Sequence, residues 1–143
     1  MLLRLKEKRR GSAMVEFALV APLLILILVG IMVMGVVINS KIVVSGAARE
    51  AGRTWAIAKE DGIARAKAVD AINGGGLKIS ADGKVLFNPA HDVQFQRMGD
   101  YIQVTVHYRQ PLFVPLLARL IDPSSPGDGT IALRSQAVFR VER

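Results

Sequence analysis

The stretch RRGSAMVEFALVAPLL, Arg9 to Leu24, decides how the rest of the chain is read. It starts on two arginines, passes a glycine and then turns apolar, with one carboxylate, Glu16, just inside the apolar part. Between Arg10 and Lys41 Glu16 is the only charged residue, and from Phe17 to Ile38 there is none. At about 1.5 Å per helical residue this uncharged run is about 33 Å long, enough to cross a hydrocarbon core of about 30 Å. An acid in such a place is costly, by roughly 2.5–3.5 kcal/mol at the bilayer centre on insertion scales, and intramembrane acids are accordingly rare and functional.

Working outward, the chain divides into three parts: a basic leader (1–11), a transmembrane helix (12–40) and an extracytoplasmic α+β domain (41–143). Of the formal net charge of +7, the leader's Arg4, Lys6, Lys8, Arg9 and Arg10 against Glu7 account for +4. Basic residues next to a span stay on the cytoplasmic side, so the expected topology is single-pass, N-terminus inside, in the cytoplasmic membrane. The high overall pI of about 10.3 does not signal a nucleic-acid partner, because no basic stripe interleaves with aromatics. The apolar run is far longer than the roughly 7–15 residues of a secretory signal, which predicts a retained or differently cleaved anchor. With no cysteine in the chain, the outer domain has to be held by its core.

Beyond the span, Val44, Ala48, Ala51, Trp55 and Ala58 recur at spacings of four and three, one face of an amphipathic helical extension. Asp61-Gly62 interrupts it, Ala66, Val69 and Ile72 resume it as a kink or a second helix, and NGGG (Asn73–Gly76) ends it. The period then changes to two. LKIS and KVLF flank Ala81-Asp82-Gly83 as a hairpin; DVQFQ and YIQVTVHYR surround a turn at Arg97–Asp100; TIALRSQAVFRVER reads as a last strand. QPLFVPLLARLID is a loop and a short helix from Pro115, and PSSPGDG a surface loop. Strands after a long helix, without βαβ alternation, give the class α+β: a long N-terminal transmembrane helix whose amphipathic extension, Trp55 inward, packs on a small antiparallel β-sheet.

The search for chemistry finds no catalytic set, metal cluster or cofactor motif. His91 and His107 stand without ligand spacing, the serines lack a nucleophile-elbow context, and Gly74–Gly76 lack the lysine of a phosphate loop. The expectation is a protein that is not an enzyme.

Gly11, with Glu16 and Phe17 following at the junction of a basic leader and an apolar helix, resembles the processing site of class IV prepilins. Together with GAAREAGR (Gly46–Arg53) and the terminal strand ending in FRVER, the chain is similar to the TadE-like pseudopilins, or minor pilins, of tight-adherence (Flp, type IVb-like) pilus systems. The resemblance implies cleavage by a prepilin peptidase between Gly11 and Ser12. It also implies partners among other pilin-like subunits, a platform membrane protein and an ATPase, and a role in pilus assembly or secretion. A glycine before the cut suits close approach of a peptidase to the backbone. The cut creates an ammonium on Ser12, a helical i,i+4 neighbour of Glu16, so that Glu16, with Phe17 beside it, is the expected assembly and charge-pairing residue. The alternative reading is a signal-anchored extracytoplasmic binding protein unrelated to pili, and a membrane-anchored enzyme is a third.

Overall fold

A computed structural model describes residues 2–123 and 128–141, and side chains from residue 12 onward except at 116, 117 and 120. Part of the PSSPGDG loop and the last two residues of FRVER lie outside the described residues.

One helix, α1 (Leu2–Ala58), takes in the leader, the apolar run and its extension, continuing through Pro22. Proline in mid-helix removes a backbone bond to the carbonyl four residues back, here that of Ala18. The chain forms two compact units, 1–35 and 36–143, so α1 belongs to both. In the first unit the side chains from Ser12 on are almost all exposed: Met14 and Leu19 are each 75% accessible and Phe17 70%. Among the described residues this is the one helix long and apolar enough to cross a membrane. So large an uncovered apolar surface is stable against lipid rather than water.

In the second unit α1 gains a buried face of small residues: Ser40, Val44, Ala47, Ala48, Ala51 and Ala56 are buried. Trp55 is half-buried and Ala58 exposed, so the face ends one turn earlier than the spacing predicts, where the chain leaves the helix. The exit is made by Lys59, whose φ of 54° is left-handed and whose N–H donates to the Trp55 carbonyl at 2.8 Å. A second helix follows, α2 (Asp61–Gly74), in place of a kink. Its buried residues are Ala64, Ala68 and Ile72. Ala66, expected inward, is exposed, because the apolar face follows the four-residue ridge through Ile72. NGGG closes α2 as expected. Gly76 takes φ +76°, the Leu77 N–H donates to the Ile72 carbonyl (3.1 Å) and the Gly76 N–H to that of Asn73 (2.9 Å), the paired bonds of a Schellman cap.

The hairpin read around Asp82-Gly83 is present but short: β1 (Ser80–Ala81) pairs with β2 (Lys84–Val85). Both turn residues have positive φ, 50° and 72°, as a type I′ turn requires. Leu86 and Phe87, expected to prolong this strand, instead drop into the core and are among its most buried residues. A one-turn helix not foreseen from the sequence, α3 (Pro89–Asp92), is capped reciprocally: Asn88 Oδ1 accepts from the Ala90 N–H, and Asp92 Oδ2 from that of Asn88.

The main sheet is antiparallel, with strand order β3 (Val93–Met98), β4 (Tyr101–Pro111), β5 (Thr130–Arg140). The short helix α4 (Pro115–Ile121) starts at Pro115 as expected and lies between β4 and β5 in the chain. Ile102, Val104, Val106 and Tyr108 of β4 are buried on one face, joined by Ile131 and Leu133 of β5. Their alternation with Gln103, His107 and Arg109 is that of a sheet covered on one side. Burial pushes the Tyr108 phenol up from its ordinary pKa, while its O–H donates to the Lys78 carbonyl at 2.9 Å.

The cover is supplied by the two helices. Lys41 Nζ donates to the Arg134 carbonyl, and Gly52 lies under Phe139. Eleven helical residues, about 16 Å, thus span the same distance as five strand residues, about 17 Å, so this part of α1 runs alongside β5 in the same direction. Gly75, at the end of α2, abuts Val43, while Trp55 stacks on Phe95 of β3 at 6.4 Å between ring centroids. Trp55 Nε1 donates to Asp61 Oδ1 at 2.7 Å, and the Arg65 guanidinium lies 5.5 Å from the Phe95 ring centroid. The corner where α1, α2 and β3 meet is therefore built from aromatic stacking and cation–π contact.

Candidate functional site

Gly11 and Ser12 lie inside α1, in unbroken helix. One turn on, Glu16 shares a face with Ser12, and the Ser12 hydroxyl donates to Glu16 Oε1 at 3.3 Å. Residues four apart on a helix stand above one another, which brings the two expected pairing positions together through local geometry alone. Phe17 follows about 100° further round the helix and faces elsewhere; it is exposed, like Met14, Val15 and Leu19. The result is a single carboxylate with one hydroxyl partner, set among uncovered apolar side chains.

The second part of the site is GAAREAGR. Its polar members, Arg49, Glu50 and Arg53, point outward, with Arg49 Nη2 donating to Ser45 Oγ at 2.9 Å. Its small members make the contact with the sheet. A Cβ on Gly52 would lie 2.5 Å from Phe139 Cδ2 and 2.7 Å from Cε2, closer than carbon atoms approach, so only glycine lets the helix sit this low on β5. Gly46, in the same segment, has open space around it and no such constraint. Gly52 was missed as a key position in the sequence; its signal is the crowding of small residues at 47, 48, 51 and 52, which fills one face of two turns.

Ser40 was missed as well. The side chain is buried and its hydroxyl donates to Gln110 Oε1 at 2.6 Å, with the Val36 carbonyl 2.9 Å away. Gln110 is itself buried and donates from Nε2 to the Pro111 carbonyl at 2.9 Å. A buried polar pair of this kind fixes where α1 meets the end of β4, since Gln110 Oε1 without the Ser40 hydroxyl would be buried and unsatisfied.

His107 is half-buried on the outer face of β4 and His91 is exposed. Among the described residues no three His, Cys, Asp or Glu side chains are grouped to hold a metal ion.

No curated protein and no solved structure matches the chain. From Gly11 to Arg53, the stretch that holds both the Ser12–Glu16 pair and the small-residue face, the chain matches the family model described as TadE-like protein.

Proposed function

We propose that this is a TadE-like pseudopilin, a single-pass protein of the cytoplasmic membrane with its N-terminus inside and its α+β domain outside. A prepilin peptidase removes the leader by cutting between Gly11 and Ser12, and the mature protein assists assembly or function of a tight-adherence (Flp) pilus or secretion system. Its partners are the peptidase, other pilin-like subunits and the assembly platform. The observation that carries this reading is the 3.3 Å contact between Ser12 and Glu16 at the start of an uncovered apolar helix.

The chemistry follows from that contact. Cutting the Gly11–Ser12 bond turns the Ser12 amide nitrogen into an ammonium, one helical turn from the only acid of the span. A carboxylate in hydrocarbon is costly when alone and tolerable when paired, so Glu16 needs this ammonium or that of an adjacent subunit. Pairing between subunits sets the axial register of neighbouring helices.

Mass spectrometry of the protein from its native membrane tests the cut. Ser12 is expected as the first residue; intact Met1 in cells with an active prepilin peptidase refutes the reading. Gly11→Ala should leave the precursor uncut. Glu16→Ala should be cut yet fail in assembly, and normal piliation in that variant removes the pairing role.

A further inference from the structure

The domain has a second apolar feature just past the strand end that is tied to the first polar turn of α1 after the uncharged run. Asn39, Ser40 and Lys41 are the first polar residues after the uncharged run. The Ser40–Gln110 hydrogen bond holds the end of β4 beside that turn. From Gln110 the chain continues through Pro111, Leu112 and Phe113 into α4, and up to Ile121 its one charged residue is Arg119. Leu112 is buried, but Phe113 is 77% exposed, the most exposed of the domain's large apolar side chains among the described residues, and Ile121 is exposed too. On α1 itself Ile38 and Ile42 are exposed at the same level. Lys41 Nζ reaches the backbone carbonyl of Arg134 there.

We infer that Phe113 and the segment leading to Ile121 dock into the interfacial layer of the same bilayer that α1 crosses, a second membrane contact that seats the domain on the lipid surface. The inference rests on the reading of α1 as a membrane span, and the occupant follows from continuity with it: the strand end is tied to the turn at which the span ends. Aromatic side chains favour the membrane interface, where a ring contacts acyl chains at headgroup depth. The far end of α1 offers a contrast: Ile57 is similarly exposed but lies 17 residues, about 25 Å, beyond Ser40 along the helix.

The absence of cysteine makes the test direct. Full-length Phe113→Cys, Ile57→Cys and Leu24→Cys variants are each labelled with an environment-sensitive fluorophore and reconstituted into phosphatidylethanolamine–phosphatidylglycerol vesicles. Nitroxide lipids labelled at the headgroup, or shallow or deep on the acyl chain, serve as quenchers. The expected result is a blue shift with quenching by headgroup and shallow nitroxides at 113, quenching by deep nitroxides at 24, and neither shift nor quenching at 57. Label 113 behaving like label 57 while label 24 is quenched overturns the docking and leaves the span intact. A blue shift at 113 that nitroxide lipids do not quench means that protein covers Phe113, which also overturns it. An unquenched label 24 removes the span and the docking with it.

Discussion

Replacing Gly52 by alanine sets two effects of opposite sign against each other. In a helix interior alanine is favoured over glycine by about 0.8–1.0 kcal/mol. Against this, the new methyl carbon would lie 2.5 and 2.7 Å from two atoms of the Phe139 ring and 3.5 Å from Val104 Cγ2. Forcing an extra carbon into a packed interface costs about 1–3 kcal/mol. The net expectation for Gly52→Ala is a change from about zero to 2 kcal/mol of destabilisation. Gly46→Ala supplies the reference, because that site lies in the same helix with open space around it; it should gain close to the full propensity term. The difference between the two variants, about 1–3 kcal/mol, isolates the contact with Phe139. Thermal denaturation of the full-length protein in detergent, followed by the circular dichroism of the sheet, should place Gly46→Ala above the parent and Gly52→Ala at or below it. Adding Phe139→Leu to Gly52→Ala should recover part of the loss, since paired changes at touching residues do not add. Equal stabilisation by the two alanines would refute the close approach of α1 to β5.

Three further outcomes are expected. Ser40→Ala, which leaves Gln110 Oε1 buried without its donor, should cost about 1–3 kcal/mol in a urea titration; removing both polar groups with Ser40→Ala and Gln110→Leu should cost less than Ser40→Ala combined with an independent loss. Lys59→Gly relieves a left-handed lysine and should stabilise by about 1 kcal/mol, net of the greater freedom glycine gives the unfolded chain; a lower melting temperature argues against this helix exit. The Asp128 carboxylate accepts from both the side chain and the N–H of Thr130, which holds it below its ordinary pKa of 3.8. Its contribution is therefore present above that value and fades as the pH falls through the lower folded value, so the urea midpoints of the parent and Asp128→Ala should converge on acidification.

What the sequence disclosed was governed by periodicity and by turn chemistry. The uncharged run, the inward set Ile102, Val104, Val106 and Tyr108, and the Asp82-Gly83 turn each follow from local rules that need no partner. Where tertiary packing decided, the reading fell short. Ala58 and Ala66 fit the apolar spacing, but the core ends at the Lys59 exit and follows the Ala64–Ala68–Ile72 ridge. Leu86 and Phe87 look like strand residues in isolation; the core takes them, and the ladder ends at Val85. That Ser12 and Glu16 share one helix face was legible because it depends only on helical spacing. Gly52 and Ser40 were not, because each is defined by a residue about 70 to 90 positions away in sequence, Gln110 for one and Phe139 for the other.

The corner at Trp55 has a practical consequence. The chain carries one tryptophan, and its indole touches Asp61 of α2 and Phe95 of β3 while standing on α1. Its emission therefore reports on whether three elements remain assembled, with no contribution from a second indole elsewhere in the chain. A mutation in the apolar part of α1 that changes this signal has reached the α+β domain, and one that leaves it unchanged has not disturbed that corner. The protein thus contains its own optical gauge for separating effects on the span from effects on the fold it carries.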